Sequence, residues 1–459
     1  MTAIPSERAV PERSAGLPAV ERRAVLPAGF RAGGMSAGIK ASGRPDLAVV
    51  LTTAGPAAAA AVFTPNTFAA APVRLSRAHL AATSGDDRGG FGWAEAIIST
   101  SGSANAATGP DGDADQREVA RLLATATGVA EDRTLHLSTG IIGTRLPLAK
   151  VDAGLRVLVP AASPEDAGLG AAAEALRTTD SVTKVATTVV TLPGATGPAV
   201  QVTVSGIAKG VGMIHPRMAT MLSIVLTDAD VDPATLWGLL RPAAARTWDQ
   251  LSVDGDTSTN DTVFVLASAT AGNATLVPGT PGAAALGAAI EAVARDLARQ
   301  QAADGEGAAT LITAAVSGAR DDADARAVAR SVISSSLVKA AAHGRDPNWG
   351  RIAGAAGNAR LADAAVLEAA GLTPEDAVGR AGTPAELDPG RLRIEIAGHL
   401  VFDGRQGGPV RFDRAVVRQA MAAPEVVFGL DLGLGAGTGE AFGCDLTEAY
   451  VIENSEYTT

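Results

Sequence analysis

The sequence predicts an α/β fold, and three features carry that expectation. Short apolar, β-branched runs bounded by glycine or proline recur along the chain, as at residues 46–52 and 223–226, and each reads as a strand. Stretches with helical periodicity lie between them, the clearest at 283–303, where Leu286, Ile290, Val293 and Leu297 fall on one face. With 459 residues, 47% hydrophobic and 19% charged, the chain can bury a core and hold two or more structural units.

The elements follow in order. Residues 46–52 and 58–63 read as strands joined through the Gly55-Pro56 turn, a β-meander. A strand at 95–101 feeds the small-residue loop 102–109, and a helix at 113–127 ends at Gly128, a C-cap glycine. The short strand 134–137 leads into Ser138-Thr139-Gly140, and a helix follows at 164–176. Strands 185–192 and 200–207 form a hairpin that delivers the chain to Lys209. A strand at 310–316, one helix over 323–342, and strands at 391–396, 425–431 and 444–452 complete the reading. Gly433, Gly435, Gly437 and Gly439 are spaced GxGxGxG between strands with no helix after them. That excludes a dinucleotide fingerprint, which opens a helix.

Composition removes several function classes. A net charge of −11 and a sequence pI near 5.1 give nucleic-acid binding no electrostatic support. Cys444 is the only cysteine, which rules out an intrachain disulfide or a multi-cysteine metal site. The five histidines form no HExxH and no helically spaced pair, so no metal is expected. No apolar run reaches the roughly 18 residues of a membrane helix. Residues 1–26 mix prolines with both charge signs and read as a flexible leader of a soluble cytoplasmic protein.

Chemistry concentrates at 209–228. Lys209 and the glycines Gly210 and Gly212 lead through His215-Pro216 to Met218-Ala219-Thr220-Met221, and the strand at 223–226 follows. Thr220 therefore stands where a loop becomes a strand, a place where a fold can hold a side chain at a site. By spacing alone it is equally an ordinary β-branched strand residue. Small residues such as Thr139-Gly140 allow a backbone N–H to approach a reacting oxygen, or simply make a turn.

The run KGVGMIHPRMATML resembles the cleavage and nucleophile segment of the ornithine acetyltransferases, also called bifunctional glutamate N-acetyltransferases. The resemblance runs in the family's order from about residue 27 to 459. It includes the GIK segment, the FTxNxxxAAPV segment, STGIIG at 138–143, DGDTSTNDT at 254–262 and GRDPNWGR at 344–351. Loop 102–109 is similar to the family's SGNANACTG, with Ser103 for asparagine and Ala107 for cysteine. GEGAATL is similar to GEGATKL, with Thr310 in the lysine position.

The resemblance implies mixed sheets sandwiched by helices in two units, with the site between them. It implies self-cleavage at Ala219–Thr220 into an α chain, 27–219, and a β chain, 220–459, paired as two of each. Thr220 would then be the nucleophile, with Thr139 and Gly140 as its oxyanion hole. Thr178, Lys209, Thr220, Glu306, Asn454 and Thr459 fall on substrate-contact positions. The implied reaction moves an acetyl group from N2-acetylornithine to glutamate in arginine biosynthesis. It needs no metal and no cofactor, and acetyl-CoA stands as an alternative donor. The departures at Ser103, Ala107 and Thr310 keep a second reading open: an N-acyltransferase or amidohydrolase of a secondary-metabolite pathway, using the same nucleophile on another amine. A third reading is a non-catalytic scaffold that retains the fold.

Overall fold

The computed structural model describes residues 16–215 and 221–455. Its strands before residue 219 are β1 (Phe30–Met35), β2 (Leu47–Thr52), β3 (Ala57–Phe63), β4 (Phe91–Ala94), β5 (Ala96–Ser103), β6 (Thr134–Ile141), β7 (Lys184–Leu192) and β8 (Val200–Lys209). After residue 220 come β9 (Leu222–Thr227), β10 (Leu251–Ser252), β11 (Thr262–Ala267), β12 (Leu311–Ala319), β13 (Arg393–Ile396), β14 (His399–Asp403), β15 (Gly408–Pro409), β16 (Glu425–Asp431) and β17 (Gly437–Cys444).

Three mixed sheets result. A four-stranded sheet has the order β1-β2-β5-β6, with β5 and β6 parallel. A six-stranded sheet has the order β4-β3-β11-β9-β8-β7, with only β11 and β9 parallel. The two pack face to face. Ala48, Val50, Ile97, Leu135 and Leu137 from the first meet Ala59, Ile207, Ile224, Phe264 and Leu266 from the second. The alternation of a strand then sends Val49 and Ile98 outward, to the helices Gly109–Thr127 and Leu148–Ala161. On the far side Val204, Val225 and Val265 meet the helices Pro233–Arg246 and Pro281–Ala303. This half is thus layered helix, sheet, sheet, helix. The second unit is the seven-stranded sheet β10-β17-β12-β16-β13-β14-β15, which shares a core with the helix Asp322–Ser334.

The six-stranded sheet takes β3, β4, β7 and β8 from before residue 219, and β9 and β11 from after residue 220. The two halves of the sequence are therefore woven into one sheet.

Several sequence expectations need correction. The described part of the supposed flexible leader over 1–26 is docked: Glu21 and Thr187 exchange backbone hydrogen bonds of 2.8 Å, and Arg22 pairs with Asp296. These residues cover the open edge of β7, whose backbone groups would otherwise lack partners. The stretch 444–452, read as a strand, ends β17 at Cys444 and continues as the helix Glu448–Ser455. Thr447 starts that helix by accepting the Tyr450 N–H, and the apolar pair Val451 and Ile452 stays exposed. The helix over 323–342 is two helices, Asp322–Ser334 and Ser336–His343, because Ser335 turns extended and its hydroxyl accepts the Val338 N–H. After the strands read as a meander over 28–73, the chain turns helical at Ala71–Ser84, with a proline in its first turn and Gly85 closing it at φ 75°. Gly439 lies inside β17, where a Cβ would come within 2.6 Å of the Arg326 nitrogen; the glycines let helix and sheet approach closely.

Candidate active site

Thr139 and Gly140 sit at the end of β6, level with Ser101 and Gly102 of the parallel β5. Gly140 has φ 128°, and a Cβ there would lie 2.4 Å from the Gly102 carbonyl carbon, so only glycine fits. Thr139 is buried, and Lys209 Nζ, at the end of β8, donates to its Oγ1 at 3.2 Å. Accepting from an ammonium leaves the threonine's own O–H free to donate elsewhere. Two elements 70 residues apart are joined at this point.

Lys209 is almost fully buried. Burial pushes its ammonium below the ordinary lysine range, and the negative charges of Asp180, Glu306 and Asp261 oppose that. Its carbonyl accepts from the buried amide of Gln301 at 2.8 Å. The turn that follows is tied at nearly every residue. Gly210 N–H donates to Asp180 Oδ1 at 2.8 Å, and Glu306 N–H donates to the Val211 carbonyl at 2.8 Å. Met213 and Ile214 N–H both donate to Asp254, at 2.5 and 2.8 Å. Gly212 lies under the Glu306 carboxylate, where a Cβ would come within 2.1 Å of Oε2.

Beneath the turn lies a buried ion network. Lys184 Nζ, fully enclosed, bridges Asp180 at 2.7 Å and Asp304 at 2.6 Å. Burial alone would raise the Asp180 carboxyl, but Lys184, Lys209 and the Gly210 N–H hold it far below the usual carboxylate range.

Glu306 is 9% exposed and is held from two sides: Thr179 Oγ1 donates to Oε1 and Asn454 Nδ2 to Oε2, each at 2.9 Å. The expected pair of Glu306 and Asn454 therefore comes together. The hydroxyl on Glu306 belongs to Thr179, whereas Thr178 donates its backbone N–H to Asp180 and receives the Arg44 guanidinium on its carbonyl. Ala219, Thr220 and Thr459 lie outside the described residues. Thr310, at the lysine position, has its backbone N–H on Asp445 at 2.9 Å.

Loop 254–262, read from sequence as a polar loop, supports the site from below. Asn260 Nδ2 donates to the Ala104 and Ser138 carbonyls, at 2.7 and 2.9 Å, and so fixes the backbone just before Thr139. Asp261 is fully buried and accepts the N–H of Met221, the residue after Thr220, on Oδ1 at 2.9 Å. Asp180, Lys184, Thr179, Asn260 and Asp261 were not singled out from sequence. Their signals are the density of polar residues in two short runs, 178–184 and 254–262, and, for Asn260 and Asp261, the DGDTSTNDT resemblance.

The arrangement thus sets the Thr139 hydroxyl beside the buried Lys209 and holds the Glu306 carboxylate between Thr179 and Asn454. The comparison with known proteins then decides the family: the ArgJ family model matches residues 31–372 and 375–459. The chain belongs to the ArgJ family. It is 42% identical over 418 residues to the "Arginine biosynthesis bifunctional protein ArgJ" of Symbiobacterium thermophilum, across 91% of this chain and 93% of that protein. The ArgJ of Gloeobacter violaceus is likewise 42% identical, over 421 residues, with the same coverage of both chains. A solved ornithine acetyltransferase of Mycobacterium tuberculosis, in complex with ornithine, is 37% identical across 43% of this chain and 97% of its own, with a TM-score of 0.37. In ArgJ terms, both the Thr139-Gly140 strand end and the 209–215 turn lie inside the matched residues. No helix of the described residues is long and apolar enough to cross a membrane.

Proposed function

We propose that this ArgJ-family chain cuts itself at Ala219–Thr220 and then carries an acetyl group from N2-acetylornithine to glutamate, in arginine biosynthesis, as an ester on Thr220. The observation that carries the reading is the bond from Lys209 Nζ to Thr139 Oγ1, which brings a donor pair to the strand end leading toward residue 220. The name of its relatives, a bifunctional protein of arginine biosynthesis, supports the same pathway.

An N-terminal threonine supplies nucleophile and base together, because its α-amine titrates near about 7.7 and can take the hydroxyl proton. For self-cleavage, Thr220 Oγ attacks the Ala219 carbonyl and the peptide C–N bond gives way to an ester. Water hydrolyses that ester, freeing the Ala219 carboxylate and the Thr220 amine. For transfer, Oγ attacks the acetyl carbonyl while its proton passes to the amine. The oxyanion accepts from Thr139 O–H and Gly140 N–H. Collapse breaks the acetyl C–N bond, the amine returns the proton to the leaving nitrogen, and ornithine departs. The glutamate amine then attacks the ester. These steps draw on no metal or organic cofactor, and acetyl-CoA would acylate the same hydroxyl. Glu306, with Asn454, receives the distal ammonium; the spare donors of Lys209, with Thr178 and Thr459, receive the α-carboxylate.

The α chain, 27–219, and the β chain, 220–459, remain together after cleavage because one sheet contains strands of both. Two of each assemble, and the enzyme works in the cytoplasm.

The test is acetyl transfer to glutamate from two donors. Glu306→Gln is expected to lower kcat/KM for N2-acetylornithine by about tenfold to a hundredfold, the scale of one charge-assisted hydrogen bond, about 1.5–3 kcal/mol. A neutral N-acetyl amino acid should lose little. An equal loss with both donors would remove the ornithine assignment.

A further inference from the structure

The helix Glu448–Ser455 lies against the loop that carries Glu306, where a Cβ on Gly307 would come within 2.3 Å of the Tyr450 nitrogen. None of the helix residues is buried, so polar ties hold it in place. Thr447 Oγ1, just before it, donates to the Gly307 carbonyl at 2.7 Å, and Asn454 Nδ2 donates to Glu306 Oε2 at 2.9 Å. Tyr450 faces Asp254 and Glu306 from between them. Burial and those two carboxylates push its phenol up, which keeps it a donor.

The first residue of the helix makes a tie of another kind. His343, at the end of the helix Ser336–His343, stands between two carboxylates. Nδ1 lies 3.1 Å from Asp445 Oδ2, and Nε2 lies 3.2 Å from Glu448 Oε2. Asp445 is buried and fixed, because its Oδ1 accepts the Ala309 and Thr310 N–H at 2.9 Å each. Among the described residues, the histidine is the cation paired with Asp445. Lys339, one turn earlier on the same helix, sends its ammonium to the Cys444 carbonyl. The Glu448 carboxyl is held below its ordinary range by its own backbone N–H and by the His343 charge, so it is ionised.

A neutral imidazole has one N–H and one lone pair, whereas an ionised carboxylate only accepts. Both carboxylates can therefore be held together only by the imidazolium. When the proton leaves, the remaining N–H serves the buried Asp445. The Nε2 lone pair then faces Glu448, which is 84% exposed and can swing into water.

We propose that His343 is a proton-controlled latch on the C-terminal helix, tying it through Glu448 when protonated and so regulating how firmly Asn454 supports Glu306 in binding the substrate ammonium. The proposal rests on Glu306 as the ammonium site and adds what governs its closure. Histidine is the side chain whose charge ordinarily changes between about pH 5 and 8. The sign is fixed by the contacts: the latch is made while the ring is protonated and lost as pH rises. The released proton goes to solvent.

The experiment has two readouts. Hydrogen exchange of the wild-type chain without substrate reports the helix directly. Protection of residues 449–455, corrected for the intrinsic pH dependence of exchange, should fall about threefold from about pH 6 to about pH 8.5, the scale of one exposed ion pair. KM for N2-acetylornithine should rise about threefold over the same range, while KM for a neutral N-acetyl amino acid stays level. Glu448→Gln should flatten both responses, because an amide can accept from the imidazolium or donate to the neutral ring. Wild-type protection that ignores pH overturns the proposal, and so does a Glu448→Gln chain that keeps the wild-type slope. Helix release with a level N2-acetylornithine KM overturns the regulatory link. The underlying reading fails separately. No acetyl transfer from N2-acetylornithine at any pH would remove it, whereas exchange decides the latch with no substrate present.

Discussion

Lys209→Met is expected to lower kcat for acetyl transfer by about a hundredfold to a thousandfold, the cost of impairing one oxyanion donor, while leaving the protein folded. The Thr139 hydroxyl now accepts from the Lys209 ammonium at 3.2 Å, which commits its proton outward. Without that donor the hydroxyl can turn and donate elsewhere, and the positive charge that helps stabilise the oxyanion is gone. Stability should hold, because Lys209 is buried at a cost that burial of a methionine does not carry. Asp180 also keeps its bond to Lys184 at 2.7 Å in that variant. Steady-state kinetics beside a thermal melt checks this. A large drop in melting temperature with kcat intact would show that Lys209 serves the fold and not the reaction.

Lys184→Met should behave in the opposite way. Lys184 is enclosed between Asp180 and Asp304, and removing one partner of a buried pair leaves the other charge uncompensated, at about 3–5 kcal/mol. The expected result is a marked loss of stability in urea unfolding, with activity per folded molecule largely kept. The pH dependence has a definite sign. Asp180 is held below its unfolded value, so the stability it contributes is present above about pH 3.9 and fades as pH falls toward the depressed folded value. The gap between wild type and Lys184→Met should accordingly be widest at neutral pH and narrow in acid. A gap that stays constant from pH 7 to acid would mean that Asp180 is not the group Lys184 compensates.

These two lysines also show how far the sequence could be read. Lys209 stands at the mouth of a recognisable motif and was singled out there, whereas its bond to Thr139 comes only with the fold. Lys184 lies just ahead of the expected strand 185–192 and drew no notice; only folding brings Asp304, 120 residues away, onto its ammonium. Four strands of the six-stranded sheet, β3, β7, β8 and β9, were legible from their apolar, β-branched runs, whereas β4 and β11 were not. β16 coincides with the expected 425–431, and the long helix Pro281–Ala303 differs by two residues at its start. The terminal segment misled because Val451 and Ile452 suggest a strand, yet they are exposed on a helix begun by the Thr447 hydroxyl. At the site, the hydroxyl that Thr179 places on Glu306 depends on how the turn presents it, which spacing does not reveal. Asp261 was hidden for another reason: an acid in a polar loop looks solvated until the register of β11 on β9 buries it against Met221.

The central claim is a covalent acetyl group on Thr220, and intact-mass analysis tests it most directly. Purified wild-type protein given N2-acetylornithine alone should show two fragments separating at Ala219–Thr220, with one acetyl added to the 220–459 fragment and lost again on adding glutamate. Thr220→Ala should remain one uncut chain and take up no acetyl group. A wild-type fragment that gains no mass until donor and acceptor are present together, or a Thr220→Ala chain that still cuts at the same bond, would contradict the account.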